Sequence, residues 1–157
     1  KGWREIDMPN SLINQDALYD ADTSMDKINA YLEKNGYPEK YAGHFLSEDG
    51  KATVSIVGMD DKTIALFKKI TGSNALQFIS AKYSYLSLLA EQEKVTDYMG
   101  KNDAIAKNIV SASISVKINK LQVGLLDNSS GEIEKFKKNV SSSPMIEFVQ
   151  EQAEYPA

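Results

Sequence analysis

The sequence predicts an α+β fold made of two tandem ββαβ units, preceded by an N-terminal helix and joined by a second helix. The first observation is an internal repeat, because the apolar pattern of residues 51–79 returns at residues 120–149. Phe67 and Phe136 occupy matching places in this repeat, at an offset of 69 residues. The second observation is the order within each copy: two alternating segments, a segment with helical spacing and a short apolar segment. Each unit is therefore expected to form a small antiparallel sheet with a helix on one face.

Residues 1–40 are predicted to form an irregular strap followed by a helix. The first 21 residues are polar, with scattered apolar side chains and no regular period. Ile28 and Leu32 then share one face at helical spacing. Gly36 followed by Pro38 is a strong signal for the end of that helix.

Residues 41–83 are predicted to form the first ββαβ unit. Asp49 and Gly50 lie between two apolar segments, which is the strongest short signal for a β-hairpin. Val54 and Ile56 alternate with polar residues, so one face of the second strand is expected to be buried. A helix and a short strand complete the unit.

Residues 84–110 are predicted to form a linking helix, residues 111–150 the second unit, and residues 151–157 a polar tail. The second unit opens with the cleanest alternation in the chain. Its apolar members are expected to form the buried face of the first strand; they are Ile114, Val116 and Ile118.

Composition excludes several functional classes. The net charge is −4 and no basic run exceeds two residues, which argues against nucleic-acid binding. The absence of cysteine excludes thiol catalysis, thiolate metal sites and disulfides. No apolar segment approaches the length of a membrane span. The chain begins at Lys1 without a methionine, so we expect a removed leader and an extracellular or cell-envelope location.

The sequence offers no catalytic machinery. His44 is the only histidine, and no G-x-S-x-G motif is present to place a serine beside it. A histidine-based metal cluster needs more than one histidine. We therefore predict no enzymatic activity, no catalytic residue, no metal ligand and no cofactor.

Four local patterns occur in this order: Tyr41–Leu46 with the Asp49-Gly50 turn and Ala52–Val57, Lys82–Leu89 with Gln92, Ser113–Leu126, and Met145–Val149. Together they resemble the prodomain of secreted bacterial chymotrypsin-like serine proteases, the alpha-lytic protease and streptogrisin group. The resemblance extends from Tyr41 to Val149, and the chain shows it without a protease domain. The serine-rich segment 111–143 departs from the usual second lobe of that family.

The resemblance implies a non-catalytic module that binds a protein partner, by analogy a secreted peptidase. In that family the prodomain extends a sheet of its protease through an edge of the second lobe, which is β-strand addition. The residues that this analogy assigns to partner binding lie in the second unit: Ser113, Ser115, Lys117, Gln122, Met145, Glu147 and Val149.

Two alternatives stay open at this point. A two-lobed α+β protein can also act as a small-ligand sensor. A binding surface can also be formed by an aromatic group that borders the first unit; its members are Tyr37, Tyr41, Phe45, Tyr83 and Tyr85.

Overall fold

The computed structural model describes the backbone of residues 2–152 and the side chains of residues 15–152. It confirms the predicted α+β class, with an N-terminal helix and two three-stranded sheets. The chain divides into two compact units between Ser84 and Tyr85. The first unit contains α1 (Gly2–Asn35), β1 (Tyr41–Leu46), β2 (Ala52–Val57), α2 (Asp61–Thr71) and β3 (Gln77–Ala81). The second contains α3 (Tyr85–Met99), α4 (Ala104–Asn108), β4 (Ile109–Ser115), β5 (Lys120–Leu125), α5 (Ser130–Asn139) and β6 (Ile146–Gln150).

The prediction of antiparallel sheets is wrong, because both sheets are mixed. β1 runs antiparallel to β2, and β3 runs parallel to β2. In the same way, β4 is antiparallel to β5, and β6 is parallel to β5. The reason is the helix inside each unit: a crossover helix returns the chain to the end of the sheet at which the preceding strand began, so the next strand runs in the same direction.

The internal repeat is confirmed at the level of strand register. Val54 pairs with Phe78 in the first sheet, and Val123 pairs with Phe148 in the second. The phenylalanines of the intervening helices are equivalent as well, since Phe67 is 0% and Phe136 is 1% exposed. Each phenylalanine therefore occupies the core of its own unit.

The repeat extends to a backbone irregularity. The β1–β2 register shifts between Tyr41 and Gly43, and the β4–β5 register shifts between Ile109 and Ser111. Both shifts lie on the first strand of the hairpin, 68 residues apart. An unpaired extra residue of this kind twists a strand and disrupts its ladder locally. The first strand of each sheet is thus bulged at the same place.

The predicted irregular strap at the N-terminus is also wrong, because α1 is one helix from Gly2 to Asn35. Among its described side chains, from residue 15 onward, the helix buries a face through Ala21, Ser24, Ile28 and Leu32. Residues 15–20 are all exposed. A helical segment that buries no face carries no apolar period, so the sequence pattern could not reveal it.

Helix α3, which was predicted as a linking helix, is part of the second unit. Its buried residues, Leu88, Glu91 and Val95, repeat the spacing of the buried face of α1. The Glu91 carboxylate accepts a hydrogen bond from the Ser141 hydroxyl just beyond α5, and it forms an ion pair with Lys94 (3.5 Å). Each unit is therefore a helix followed by a ββαβ segment.

The expected buried alternation at the start of the second unit is wrong beyond Ser115. Val116 and Ile118 lie in the turn between β4 and β5, and Ile118 is 46% exposed. Ser115 pairs with Lys120, and the turn closes with Asn119 at a positive φ of 57°. Asparagine tolerates that left-handed conformation and can therefore close the turn. The turn begins at Val116, earlier than the apolar pattern suggests.

Candidate protein-binding face and edge

The second sheet has one face turned away from its helices. Phe148 lies on the helix side, because its ring meets the Phe136 ring edge-on at a centroid distance of 5.0 Å. Val123 pairs with Phe148 and shares that side. Side chains alternate along a strand, so Gln122 and Glu147 point to the opposite side. We call this opposite side the open face.

The middle row of the open face crosses all three strands. Ser113 pairs with Gln122 on the central strand, and Gln122 pairs with Glu147 on β6. The Gln122 amide donates to Glu147 Oε1 at 2.8 Å. Ser113 and Glu147 are exposed, and Gln122 is half-buried. This row is therefore a polar strip that reaches the β6 margin.

The neighbouring row is closed by a side-chain hydrogen bond. Ser111 pairs with Gly124, and Gly124 pairs with Val149. The Ser111 hydroxyl donates to Glu151 Oε1 at 2.7 Å. A Cβ atom at Gly124 would meet the Glu151 carboxyl group and would lie 2.6 Å from Ser111 Oγ. Glycine leaves the space that this hydrogen bond occupies.

The structure brings most of the predicted partner-binding side chains together. Lys117 is the exception, because it lies in the turn that joins β4 to β5. Gln122 lies on the central strand, so its backbone groups are used within the sheet. The residues that share the open face by strand pairing and alternation are Ser113, Ser115, Gln122, Met145, Glu147 and Val149.

Of the two edge strands of this sheet, β4 is partly closed to pairing with another strand. It carries the bulge between Ile109 and Ser111. The outward carbonyl of Ala112 accepts a hydrogen bond from the Gln92 side chain of α3 at 2.9 Å. Bulges and covering side chains are common protections of an edge strand. A partner strand would have to displace Gln92 to pair along β4.

The other margin, β6, is unbulged and presents outward backbone groups. The Leu121 N–H donates to the Met145 carbonyl (2.9 Å), and the Glu151 N–H donates to the Leu125 carbonyl (2.8 Å). Odd-numbered residues of this segment therefore direct their backbone groups to β5. The amides of Phe148 and Gln150 point the other way, along the edge of the sheet.

Sequence reasoning missed these two residues. It assigned partner binding to Met145, Glu147 and Val149, whose backbone groups face β5. Those residues contribute side chains to the open face, and Phe148 and Gln150 contribute the outward amides. Only the register and direction of β6 reveal this division. The alternation of apolar and polar residues is the same whether the odd-numbered or the even-numbered residues turn their backbone groups to β5.

His44 joins β1 to α1. Its Nδ1 lies 2.6 Å from the Tyr41 hydroxyl, and its Nε2 lies 2.7 Å from Asn29 Oδ1. With the amide oxygen as acceptor, Nε2 carries the proton and Nδ1 accepts from the tyrosine. Neither partner is a serine or a carboxylate, so this arrangement is not that of a Ser-His-Asp triad. Partial burial lowers the pKa of His44 below its usual value.

The lowered pKa of His44 predicts a specific pH dependence of stability. The unfolded chain binds a proton at His44 near pH 6.5, whereas the folded chain resists it, so the free energy of unfolding should fall as the pH drops below that value. His44 is the only histidine. We expect urea unfolding to show a larger loss of stability between pH 7.5 and 5.5 in the parent protein than in His44→Gln. Equal losses in the two proteins would contradict this assignment.

The aromatic group divides into core and surface members. Tyr41 is 2% exposed and stacks on Phe67 at a centroid distance of 5.6 Å, so it belongs to the core and not to a surface. Tyr37 is 38% exposed and stacks on Tyr41 at 5.8 Å. Phe45 and Tyr83 are half-buried in the first unit, and Tyr85, which begins α3, is half-buried too.

Surface clefts are present among the described residues of both units. Among residues 15–152 no three or more histidine and carboxylate side chains come together as a potential metal site. A cleft of about 360 Å³ in the first unit is lined by α1, the β1–β2 turn and the α2–β3 loop, where Ser73 donates to Asp20 at 2.8 Å. No helix in the described part of the chain is both long and apolar enough to cross a membrane.

Comparison with protein families gives two adjacent matches. Residues 12–81 match the Pro-like N-terminal domain, and residues 87–151 match the Pro-like C-terminal domain. The boundary between the matches contains the division between Ser84 and Tyr85. No curated protein sequence matches the chain. Over most of its length, the chain is therefore similar to a Pro-like N-terminal and a Pro-like C-terminal domain in tandem, which is consistent with a pro-region.

Proposed function

We propose that this chain is an exported, non-catalytic module of the prodomain type that binds a secreted serine protease by strand addition along β6. The observation that carries the proposal is the unbulged β6 edge, where the amides of Phe148 and Gln150 point outward. The matches to Pro-like domains support a pro-region role. The surroundings of His44, with Asn29 and Tyr41 as partners, support a structural rather than a catalytic role for that residue.

Strand addition suits the chemistry of this edge. A partner strand would form main-chain hydrogen bonds with the outward groups of Phe148 and Gln150, while its side chains alternate between the two faces of the sheet. Each such bond contributes roughly 0.5–1.5 kcal/mol net. The β4 margin is less suitable, because its bulge and the Gln92 contact to Ala112 interrupt the ladder.

We expect Gln150→Pro to weaken binding of a secreted chymotrypsin-like protease at least tenfold. Proline removes the outward amide at this position, and that amide is not used by β5. Gln150 also accepts from the Asn128 N–H (3.1 Å) and donates to the Leu126 carbonyl. Gln150→Ala is therefore the matched control, because it removes those side-chain bonds and keeps the amide. Affinities are measured by interferometry against a panel of purified, active-site-blocked proteases.

Ser80→Pro provides the second control. Ser80 of β3 is the repeat equivalent of Gln150, and it lies at the edge of the first sheet. We expect Ser80→Pro to bind as the parent does. Equal binding by Gln150→Pro and Gln150→Ala would contradict strand addition at β6, and failure of every protease to bind the parent would contradict the protease assignment.

A further inference from the structure

We infer that the strand accepted along β6 carries a basic side chain opposite Glu147, with an apolar side chain two residues away on each side. This inference rests on the proposed function and names the chemistry of the partner at the same edge. It follows from the side chains that this edge places on the open face, which are Glu147 and Val149 of β6 and Met145 of the turn immediately before it.

Glu147 is the charged centre of this edge. It is exposed, and its Oε1 accepts from the Gln122 amide at 2.8 Å. Among the described residues, no hydrogen bond or ion pair engages its second carboxylate oxygen. Gln122 lies on the central strand, so it holds the carboxylate from the inner side. The unused oxygen therefore remains available to a donor on a new strand.

The flanking positions are apolar. Met145 and Val149 precede and follow Glu147 by two residues, and both are half-buried. Residues at i and i+2 of a strand lie on the same face. A neighbouring strand would thus meet an apolar, an acidic and an apolar side chain in succession. The complementary pattern is apolar, basic and apolar at every second residue.

The direction of the backbone groups of β6 favours a close side-chain contact between Glu147 and the partner strand. Because the amide of Phe148 points outward, an antiparallel partner would form its hydrogen-bonded pair at Phe148. Glu147 would then lie in a non-hydrogen-bonded pair, where side chains of neighbouring strands are closest. Opposite charges in such a pair stabilise it, and like charges destabilise it. An arginine opposite Glu147 also offers several donors in a planar group that fits a carboxylate.

The test uses three disulfide-cyclised β-hairpin peptides that differ at one position. Their outer strands read Val-Thr-Arg-Thr-Val, Val-Thr-Gln-Thr-Val and Val-Thr-Glu-Thr-Val, because a preformed strand lowers the ordering cost of binding. Each is titrated into the full chain while the amide signals of Phe148 and Gln150 are followed by NMR. We expect the arginine hairpin to bind about threefold more tightly than the glutamine hairpin, and the glutamate hairpin to bind most weakly.

Two variants assign the preference to Glu147. In Glu147→Gln, the arginine and glutamine hairpins should bind equally. Glu134→Gln, which removes an exposed carboxylate from α5, should leave the preference intact. If the hairpins shift the two amides but bind the parent with equal affinity, the inference is overturned and strand addition stands. If Glu147→Gln keeps the preference, the inference is likewise overturned. If no hairpin shifts either amide, strand acceptance itself is overturned and the inference with it.

Discussion

Replacing Phe136 with alanine is expected to lower the free energy of unfolding by about 3–5 kcal/mol. Phe136 is 1% exposed, and its ring packs edge-on against Phe148 of β6. The change removes an aromatic side chain and leaves a cavity between α5 and the sheet. Urea unfolding followed by circular dichroism measures the loss. Phe67→Ala should cost a similar amount, because Phe67 is 0% exposed and stacks on Tyr41 in the equivalent place.

A surface substitution on the same helix is the control for this result. Lys137 is exposed, and Lys137→Ala should change stability by no more than about 0.5 kcal/mol. A loss below about 1 kcal/mol for Phe136→Ala would mean that α5 does not pack as described. Strongly different losses for Phe136→Ala and Phe67→Ala would contradict the equivalence of the two units.

Gly124→Ser is the second large effect that we expect, with a loss of roughly 1–3 kcal/mol. A Cβ atom at this position lies 2.6 Å from Ser111 Oγ and also meets the Glu151 carboxyl group. The new side chain must break the hydrogen bond between these two residues (2.7 Å). Both strands are bonded to their neighbours in the ladder, so the backbone cannot easily move away.

The first unit shows how the same site accommodates a serine. Ser55 is the repeat equivalent of Gly124, and it pairs with Gly43 where Gly124 pairs with Ser111. Ala81 occupies the place of Glu151. Adding Ser111→Gly and Glu151→Ala to Gly124→Ser should therefore recover most of the lost stability. The recovery should be incomplete, because the buried Ser55 hydroxyl has no hydrogen-bond partner in the described structure. No recovery at all would contradict this account of the site.

Burial explains which parts of the fold the sequence could predict. The repeat and the helix of each unit were predicted because their apolar residues recur with the period of a buried face. The hairpin turn was predicted from Asp49 and Gly50, a pair typical of turns, between two apolar segments. The helical conformation of residues 15–20 was missed because all six side chains are exposed. The direction of β3 and β6 depends on the crossover helices, and the alternation of a strand is the same for either direction.

The candidate site divides in the same way. The polar open face was predictable, because Ser113, Gln122 and Glu147 alternate with apolar residues along their strands. The outward amides of Phe148 and Gln150 could not be predicted. They depend on which residues of this segment form backbone hydrogen bonds with β5. The closure of β4 by Gln92 was also beyond prediction, because it joins residues twenty positions apart through a side chain and a carbonyl.

Amide hydrogen exchange of this chain, free and bound to an active-site-blocked secreted protease, tests strand addition at β6 most directly. The account predicts that binding slows exchange at Phe148 and Gln150, and that the outward amide of Ile114 on β4 exchanges as in the free chain. Unchanged exchange at Phe148 and Gln150, with protection instead at Tyr37, Phe45, Tyr83 and Tyr85, would contradict it and favour the aromatic surface.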